Sequence, residues 1–213
     1  MSNIIGIDLG TTFSCVAHLD PSGRPTMVLN ADEKNITPSC IYFGEKVEVG
    51  EEARRAVGQN DENAKGRFKR DMGKDVEHTV AGNKLTPTDL SALVLKKLKK
   101  DTESKIGDIS EAVITVPASF GHKGRTATKE AAEQAGFKVD HIIDEPTAAA
   151  LYYAFTEADI GGTYAVYDLG GGTFDISLIE ISGQEVQVLG SEGHPELGGI
   201  DFDEALQKLV FAK

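Results

Sequence analysis

The first forty residues alternate short apolar runs with turn-forming residues. IIGID (4–8), FSCVAHL (13–19) and TMVLN (26–30) are apolar or β-rich, and Gly, Asp, Ser and Pro fill the gaps between them. A further run, SCIYF (39–43), follows Thr37 and Pro38. This pattern predicts a β-meander over residues 3–43.

The next forty residues, 46–85, are more charged and less periodic, with one helical stretch at EEARRAV (51–57). We interpret them as a smaller subdomain inserted into a larger one. Helical periodicity returns at 88–105, where Leu90, Val94 and Leu98 share an apolar face and the lysines lie largely on the other.

Strand and helix patterns then alternate along the chain. EAVITVP (111–117) and VDHIID (139–144) are typical of strands, whereas 124–136 and EPTAAALYYAF (145–155) are typical of helices. A second meander is predicted from residue 163 and a helix from near Asp201. Alternation of this kind after a meander predicts an α/β fold with a mixed sheet.

Composition narrows the classes of function. The 213-residue chain carries 22 Lys and Arg against 34 Asp and Glu, for a net charge of −12. This balance argues against nucleic-acid binding, which needs clustered cations. Two cysteines, Cys15 and Cys40, suit free thiols in a reducing compartment. Because no apolar run approaches 18 residues, we expect a cytoplasmic protein without membrane contact.

One phrase occurs twice, as IIGIDLGTTFSCV (4–16) and AVYDLGGGTFDISL (165–178). In each copy an apolar strand ends in Asp-Leu-Gly, followed by small or hydroxyl residues that offer backbone N–H groups to an anion. Gly170, Gly171 and Gly172 would let the backbone approach a phosphate without a Cβ. Either copy alone could also be a glycine-rich β-hairpin, and this alternative is stronger for the first copy than for the second.

The pair of copies suits a nucleotide clamped between two lobes, with one aspartate from each lobe facing a shared divalent metal. Asp8 and Asp168 are those aspartates, and a carboxylate there would hold the water shell of the cation. The chain has neither the GxxxxGK[ST] loop nor a GxGxxG opening a helix after a strand.

These motifs resemble the N-terminal nucleotide-binding domain of the DnaK-type heat-shock chaperones, in the actin and sugar-kinase superfamily. The resemblance covers nearly the whole chain, in family order: IGIDLGTTFS, RFKRDMG, LSALVLKKLKKDTE, EAVITVPASF, IIDEPTAAALYY, VYDLGGGTFDISLIE and LGGIDFD. It implies a ribonuclease-H-like (actin-like ATPase) α/β fold, with a mixed five-stranded sheet, flanking helices, a small inserted α+β subdomain and an incomplete second lobe. The implied limits are 1–30 with 86–160 for the first subdomain, 31–85 for the insertion and 161–213 for the second lobe.

The resemblance also implies site residues. Lys69 would reach the γ-phosphate, Glu145 would lie near the attacking water, and Thr173 near the γ-phosphate. Asp8 and Asp168 would orient waters around Mg²⁺, and Asp175 would be a potassium ligand. The implied nucleotide contacts are Gly10, Thr11, Thr12, Phe13, Gly170, Gly171, Gly172, Thr173, Gly198 and Gly199. From the residues alone, Lys69 would be interpreted as an ordinary surface lysine, and Glu145 would also suit a helix cap.

Pro117 and Arg125 match residues that relay the nucleotide state to a substrate-binding domain in the family, although Pro117 also suits a simple strand end. The family's partners are unfolded peptides, a J-domain co-chaperone and a nucleotide exchange factor. Three features depart from the pattern: Phe13 replaces a common Tyr, His141 replaces an Arg on the J-domain surface, and residues 70–85 are shortened. His141 puts ordinary J-domain coupling in doubt.

The resulting expectation is an ATP-binding, ATP-hydrolysing domain that uses ATP or ADP, Mg²⁺ and K⁺. Because the chain ends at Lys213, partway through the implied second lobe, we expect the isolated chain to bind nucleotide weakly. A sugar or acetate kinase of the same superfamily is one alternative, although no acceptor-hydroxyl base is apparent. A binding module that has lost turnover is another.

Overall fold

A computed structural model describes residues 3–157, 161–183 and 185–212. The chain divides into two compact units. The first comprises Met1–Val116 with Gly121–Ile142, and the second comprises Pro117–Phe120 with Ile143–Lys213. Each unit is described by itself below.

The described residues form five α-helices, one 3₁₀ helix and fourteen strands. The helices are α1 (Glu51–Gly58), α2 (Pro87–Ile106), α3 (His122–Gln134), α4 (Glu145–Thr156) and α5 (Gly199–Phe211), and the 3₁₀ helix is Phe68–Asp71. The strands are β1 (Asn3–Leu9), β2 (Phe13–Leu19), β3 (Pro25–Met27), β4 (Thr37–Pro38), β5 (Cys40–Phe43), β6 (Val47–Val49), β7 (Ala64–Gly66), β8 (His78–Val80), β9 (Asn83–Leu85), β10 (Ile109–Val116), β11 (Lys138–Asp144), β12 (Gly161–Leu169), β13 (Phe174–Ser182) and β14 (Glu185–His194).

The main sheet has the order β11-β10-β1-β2-β3, with the two-residue β4 paired beside β2. β1 is parallel to β10 and antiparallel to β2, so the predicted mixed sheet is confirmed. Ile5, Ile7 and Leu9 are buried at every second position of β1, as the period-2 pattern requires. This strand therefore forms the centre of the core and delivers Asp8 and Gly10 to its carboxyl end.

Helix α2 is the predicted amphipathic helix, and α3 packs beside it. Leu90, Val94 and Leu98 are buried on its apolar face. Its start is fixed by a capping box, because the Thr86 hydroxyl accepts from the Asp89 N–H and the Asp89 carboxylate accepts from the Thr86 N–H.

The predicted meander over residues 3–43 is wrong in its last strand. β1, β2 and β3 form the meander, but β5 (Cys40–Phe43) pairs with β6 and β7 in a separate three-stranded sheet. Pro38 lacks a donor N–H and ends the short β4, so the chain leaves the main sheet there. This second sheet, α1 and the β8–β9 hairpin occupy most of the charged stretch 46–85.

The second unit contains an antiparallel sheet with the order β12-β13-β14. Ala150 of α4 packs on one face of this sheet against Ile179 and Ile181. On the other face Tyr167 and Leu178 are half or more exposed. The three-part division of the chain stays a prediction, and its limit at residue 160 lies outside the described residues. None of the helices in the described ranges is long and apolar enough to cross a bilayer.

Candidate phosphate-binding turns and the residues around them

The first Asp-Leu-Gly turn joins β1 to β2, and its geometry requires glycine at position 10. A Cβ on Gly10 would lie 2.1 Å from the carbonyl oxygen of Phe13, far inside van der Waals contact. The chain therefore folds back on itself more tightly than any other residue allows at this point.

Two buried serines hold this turn in place. The Ser39 hydroxyl donates to the Gly10 carbonyl (2.8 Å) and lies 2.9 Å from the Ser14 hydroxyl. The Gly10 N–H donates to the Ser14 hydroxyl (3.2 Å), and the Ser39 N–H donates to the Thr12 carbonyl (2.9 Å). Neither serine was predicted as a site residue. Ser39 is 25 positions from Ser14, and no local pattern marks so distant a contact.

The two threonines of the turn differ in what they offer a ligand. Thr11 is buried, and Oγ1 of Thr12 is buried with no hydrogen-bond partner within the described residues. A buried hydroxyl without a partner is costly, so Thr12 fits a site completed by a ligand oxygen. The ring of Phe13 lies under the Arg54 guanidinium, 5.3 Å from its centroid, which places a cation beside the turn.

Asp8 is exposed near the end of β1, opposite Thr115 of β10 and Cys15 of β2. The Thr115 hydroxyl donates to Oδ1 of Asp8 over 3.3 Å. Burial and, second to it, the Asp8 charge raise the pKa of the Cys15 thiol to about 11. The Asp8 carboxylate thus faces solvent and is available to a hydrated cation.

Lys69 lies on the 3₁₀ helix Phe68–Asp71 and is only 5% exposed. Lysines are almost never buried to this extent without a specific reason. The interpretation of Lys69 as an ordinary surface lysine is therefore wrong.

The second Asp-Leu-Gly turn joins β12 to β13. The antiparallel register places Asp168 opposite Asp175 and Leu169 opposite Phe174. The Gly170 N–H donates to the Thr173 carbonyl over 2.9 Å, which closes the turn. Asp175 is 3% exposed, whereas Asp168 is only half-buried, so the two facing carboxylates occupy different environments.

The start of α5 packs directly onto this turn. A Cβ on Gly198 would lie 2.5 Å from both the Gly171 carbonyl carbon and the Gly172 nitrogen. The Gly199 and Ile200 N–H groups donate to the carbonyls of Gly170 and Gly171, each over 3.0 Å. The amino end of a helix and a glycine-rich turn are thereby joined through the first N–H groups of the helix, and the glycines of the turn let an anion approach its backbone closely.

Gly193 is a third glycine with no room for a side chain, and it is not among the predicted residues. A Cβ there would lie 2.3 Å from Oδ1 of Asp175. The register Asp175↔Gly193 explains this contact, because β14 passes directly beside the buried carboxylate. Only strand pairing, which the sequence does not display, identifies Gly193.

The remaining predicted residues lie at element ends or on helices. Glu145 is the half-buried first residue of α4, after Asp144. Pro117 is buried just after β10, and its carbonyl accepts from the Phe120 N–H (3.0 Å). Arg125 is half-buried on α3, and His141 is exposed on β11.

No group of three or more His, Cys, Asp or Glu side chains arranged to hold a metal ion occurs among the described residues. Mg²⁺ commonly keeps several waters and takes one or two carboxylates plus substrate phosphates. One aspartate beside a turn that suits a phosphate is consistent with this way of binding Mg²⁺, which needs no cage made wholly of protein ligands.

Fold and site together define an α/β protein with two Asp-Leu-Gly turns of related sequence, each suited to an anion. Residues 4–81 and 74–213 match the family model described as Hsp70 protein, and the chain belongs to the Hsp70 family. Membership confirms the expected actin-like ATPase fold. The chain is 46% identical over 206 residues to the chaperone protein DnaK of Thermotoga neapolitana. That match covers 95% of this chain and 35% of the relative, so the chain spans about a third of the relative's length.

Proposed function

We propose that this chain is nucleotide-binding sequence of an Hsp70-type chaperone and that the protein it belongs to hydrolyses ATP with Mg²⁺. The observation that carries the proposal is the packing of Gly198 on Gly171 and Gly172. This contact supports a turn whose glycines let a phosphate approach the backbone without meeting a Cβ, an arrangement that suits phosphate binding.

The two turns would bind phosphate oxygens through different groups. In the first turn the Thr12 hydroxyl is buried without a partner and needs a ligand atom to complete it. In the second turn the donors would be backbone N–H groups of the glycine turn, with Gly198 and Gly199 packed beside it at the helix start. Asp8 and Asp168 would orient the waters of Mg²⁺, which neutralises phosphate charge when bound. Asp175 is proposed as a ligand for K⁺.

Lys69, Glu145 and Thr173 are the proposed assistants of hydrolysis. Lys69 would place one ammonium beside the γ-phosphate, where its charge is strengthened by burial. Glu145 would accept a hydrogen bond from the attacking water and orient it. The Thr173 hydroxyl would donate a hydrogen bond to a γ-phosphate oxygen. After hydrolysis, ADP would leave from the same site.

The proposal extends to what the protein acts on. Pro117 and Arg125 would relay the nucleotide state to a peptide-binding domain, and unfolded peptides would be the clients. A nucleotide exchange factor and a J-domain co-chaperone are the expected partners, with His141 altering the J-domain contact. Two free cysteines suit the reducing cytoplasm, the location that we infer.

The test is the substitution Lys69→Ala, made in the whole protein to which this chain belongs. We expect kcat for ATP hydrolysis to fall by about 100-fold or more, because one preorganised charge is lost from the reacting phosphate. The dissociation constant for MgATP should change little. Lys84→Ala is the matched control, since Lys84 is 73% exposed and belongs to the same charged stretch. Near-normal hydrolysis in Lys69→Ala would contradict the proposal.

A further inference from the structure

Two serines and the backbone of Gly10 form a closed ring of three hydrogen bonds, which we call the serine ring. The Gly10 N–H donates to the Ser14 hydroxyl (3.2 Å), and the Ser39 hydroxyl donates to the Gly10 carbonyl (2.8 Å). A hydroxyl group has one hydrogen, and the carbonyl takes that of Ser39. The 2.9 Å contact between the two hydroxyls is therefore a bond donated by Ser14 to Ser39.

The serine ring occupies the only backbone donor of Gly10. Ser14 and Ser39 are both buried, so water competes little for these bonds. The Gly10 N–H thus supports the turn, and the donors that the turn offers to a ligand lie further along the chain.

Ser39 holds the turn at a second point, because its N–H donates to the Thr12 carbonyl over 2.9 Å. The carbonyls of Gly10 and Thr12 therefore both point toward Ser39. None of the peptide bonds in the described ranges is cis, and in a planar trans peptide the next N–H points opposite to the carbonyl. The N–H groups of Thr11 and Phe13 accordingly point away from Ser39. On that side the turn presents N–H groups rather than carbonyl oxygens, as an anion requires.

The side chain of Thr12 gives an independent indication of a ligand at this turn. Its Oγ1 is buried and has no hydrogen-bond partner among the residues that the structure describes. An unpaired buried hydroxyl is costly, so the surrounding structure has to hold Thr12 in place until a ligand pairs with it. The bond from the Ser39 N–H fixes the backbone of this same threonine.

Ser39 is itself fixed on both sides along the chain. Before it, Thr37 is buried, and its hydroxyl accepts a hydrogen bond from the Asn30 side-chain amide over 3.1 Å. After it, Cys40 begins β5, and Ile41 is fully buried. Ser39 therefore lies where the chain passes from the main sheet to the second sheet, and both neighbours restrict its movement.

We propose that Ser39 is a positioning residue that acts through the backbone of Gly10 and Thr12 to hold the Thr12 hydroxyl where it binds a phosphate oxygen of the nucleotide. Ser14 completes the support by closing the serine ring. The inference rests on the proposed function. Thr12 makes the contact and Ser39 supports it, so losing the support should remove the benefit of the contact.

The experiment is a double-mutant cycle on the dissociation constant for MgADP, measured by calorimetric titration of the whole protein to which this chain belongs. Thr12→Val removes the hydroxyl and keeps the branched shape, and we expect binding to weaken by about tenfold or more, as for a hydrogen bond to a charged group. Ser39→Ala should weaken binding by a similar factor. In the Ser39→Ala background, Thr12→Val should add no more than about twofold.

Ser177→Ala is the matched control, because Ser177 is an equally buried serine whose hydroxyl bonds to that of Ser191. In the Ser177→Ala background, Thr12→Val should keep its full effect on MgADP binding. A general loss of stability would affect both backgrounds alike, whereas loss of positioning affects only that of Ser39→Ala. Thermal unfolding verifies folding, and Ser14→Ala takes the place of Ser39→Ala in the cycle if the latter does not fold.

Amide hydrogen exchange without nucleotide tests the serine ring directly. The Gly10 amide should exchange slowly in the parent protein, because its N–H is bonded to Ser14. Ser39→Ala opens the ring, and we expect exchange at Gly10 to accelerate by about tenfold or more. Ser177→Ala should leave this rate unchanged.

The outcomes separate this inference from the proposed function. If the parent protein binds MgADP but the losses from Thr12→Val and Ser39→Ala multiply, the positioning role is overturned and the proposed function stands. An unaltered MgADP affinity in either single variant, or an unaltered exchange rate of Gly10 in Ser39→Ala, would overturn the positioning role as well. If the parent protein does not bind MgADP, the proposed function fails and this inference fails with it.

Discussion

The two Asp-Leu-Gly turns have nearly the same sequence but are held by different kinds of contact. The first turn is held by hydroxyl groups, with Ser39 bonded to the Gly10 carbonyl and to Ser14. The second turn is held by backbone contacts: the Gly170 N–H donates to the Thr173 carbonyl, and the start of α5 packs on Gly171. A shared motif therefore does not indicate how the turn is supported.

The strands behind the turns differ as well. Ile5 and Ile7, behind the first turn, are each 1% exposed, whereas Tyr167, just before the second, is 66% exposed. The first turn is thus attached to a closed core and the second to a sheet with one open face. We therefore expect equivalent positions of the two turns to differ in their tolerance to substitution.

The largest difference is expected between Gly10→Ala and Gly170→Ala. In the first turn a Cβ would lie 2.1 Å from a carbonyl oxygen, and in the second it would lie 3.4 Å from one. We expect Gly10→Ala to lower the free energy of unfolding of its unit by about 1–3 kcal/mol. Gly170→Ala should stay within about 0.5 kcal/mol of the parent.

Amide hydrogen exchange along a urea series checks this prediction, because it reports on each unit separately. Gly58→Ala, at a glycine with open space around its missing side chain, controls for alanine itself. Equal losses for Gly10→Ala and Gly170→Ala would show that the two turns are supported in the same way.

A smaller effect is expected from Ser39→Ala, which tests the hydroxyl support of the first turn. The substitution leaves the buried Gly10 carbonyl without its donor, so we expect a loss of about 1–2 kcal/mol. Chemical shifts of the amides of residues 10–13 should also move.

Ser177→Ala is the matched control for Ser39→Ala. Ser177 is equally buried, at 1% exposure, and its hydroxyl lies 2.8 Å from the Ser191 hydroxyl. Ser177→Ala should lower the free energy of unfolding by a similar amount but leave the amide chemical shifts of residues 170–173 unchanged. A shift at residues 170–173 would mean that hydroxyl contacts hold the second turn too.

The sequence predicts those parts of the site whose structure depends on residues close together in the chain. A strand ending in Asp-Leu-Gly, the helix of 88–105 and the helix closed by Gly136 depend on neighbours within a few positions. Ser39 and Gly193 depend on which strands come together. The same limit explains Cys40–Phe43, whose apolar pattern is right for a strand but does not name its partner strand.

The smallest expected effect is electrostatic and uses Cys15 as a reporter of the charge on Asp8. Burial and then the Asp8 charge raise the pKa of Cys15 to about 11, whereas the pKa of Cys40 is raised to about 11 by burial, with no contribution from Asp8. Both thiols should therefore stay protonated, and react slowly with iodoacetamide, until the pH rises well above 9. Asp8→Asn removes one cause of the shift at Cys15 only.

We expect Asp8→Asn to lower the pKa of Cys15 by up to about one unit. The alkylation rate of Cys15 at pH 9 should therefore rise by about two- to tenfold. Cys40, measured in the same digest by mass spectrometry, should keep its rate. The sign follows from the thiol, whose ionised form is disfavoured by a neighbouring negative charge. If both cysteines accelerate equally, the substitution has loosened the fold. If neither cysteine is alkylated faster, solvent screens the Asp8 carboxylate from Cys15. The first turn then differs from the second in the exposure of its aspartate and not in the effect of that charge.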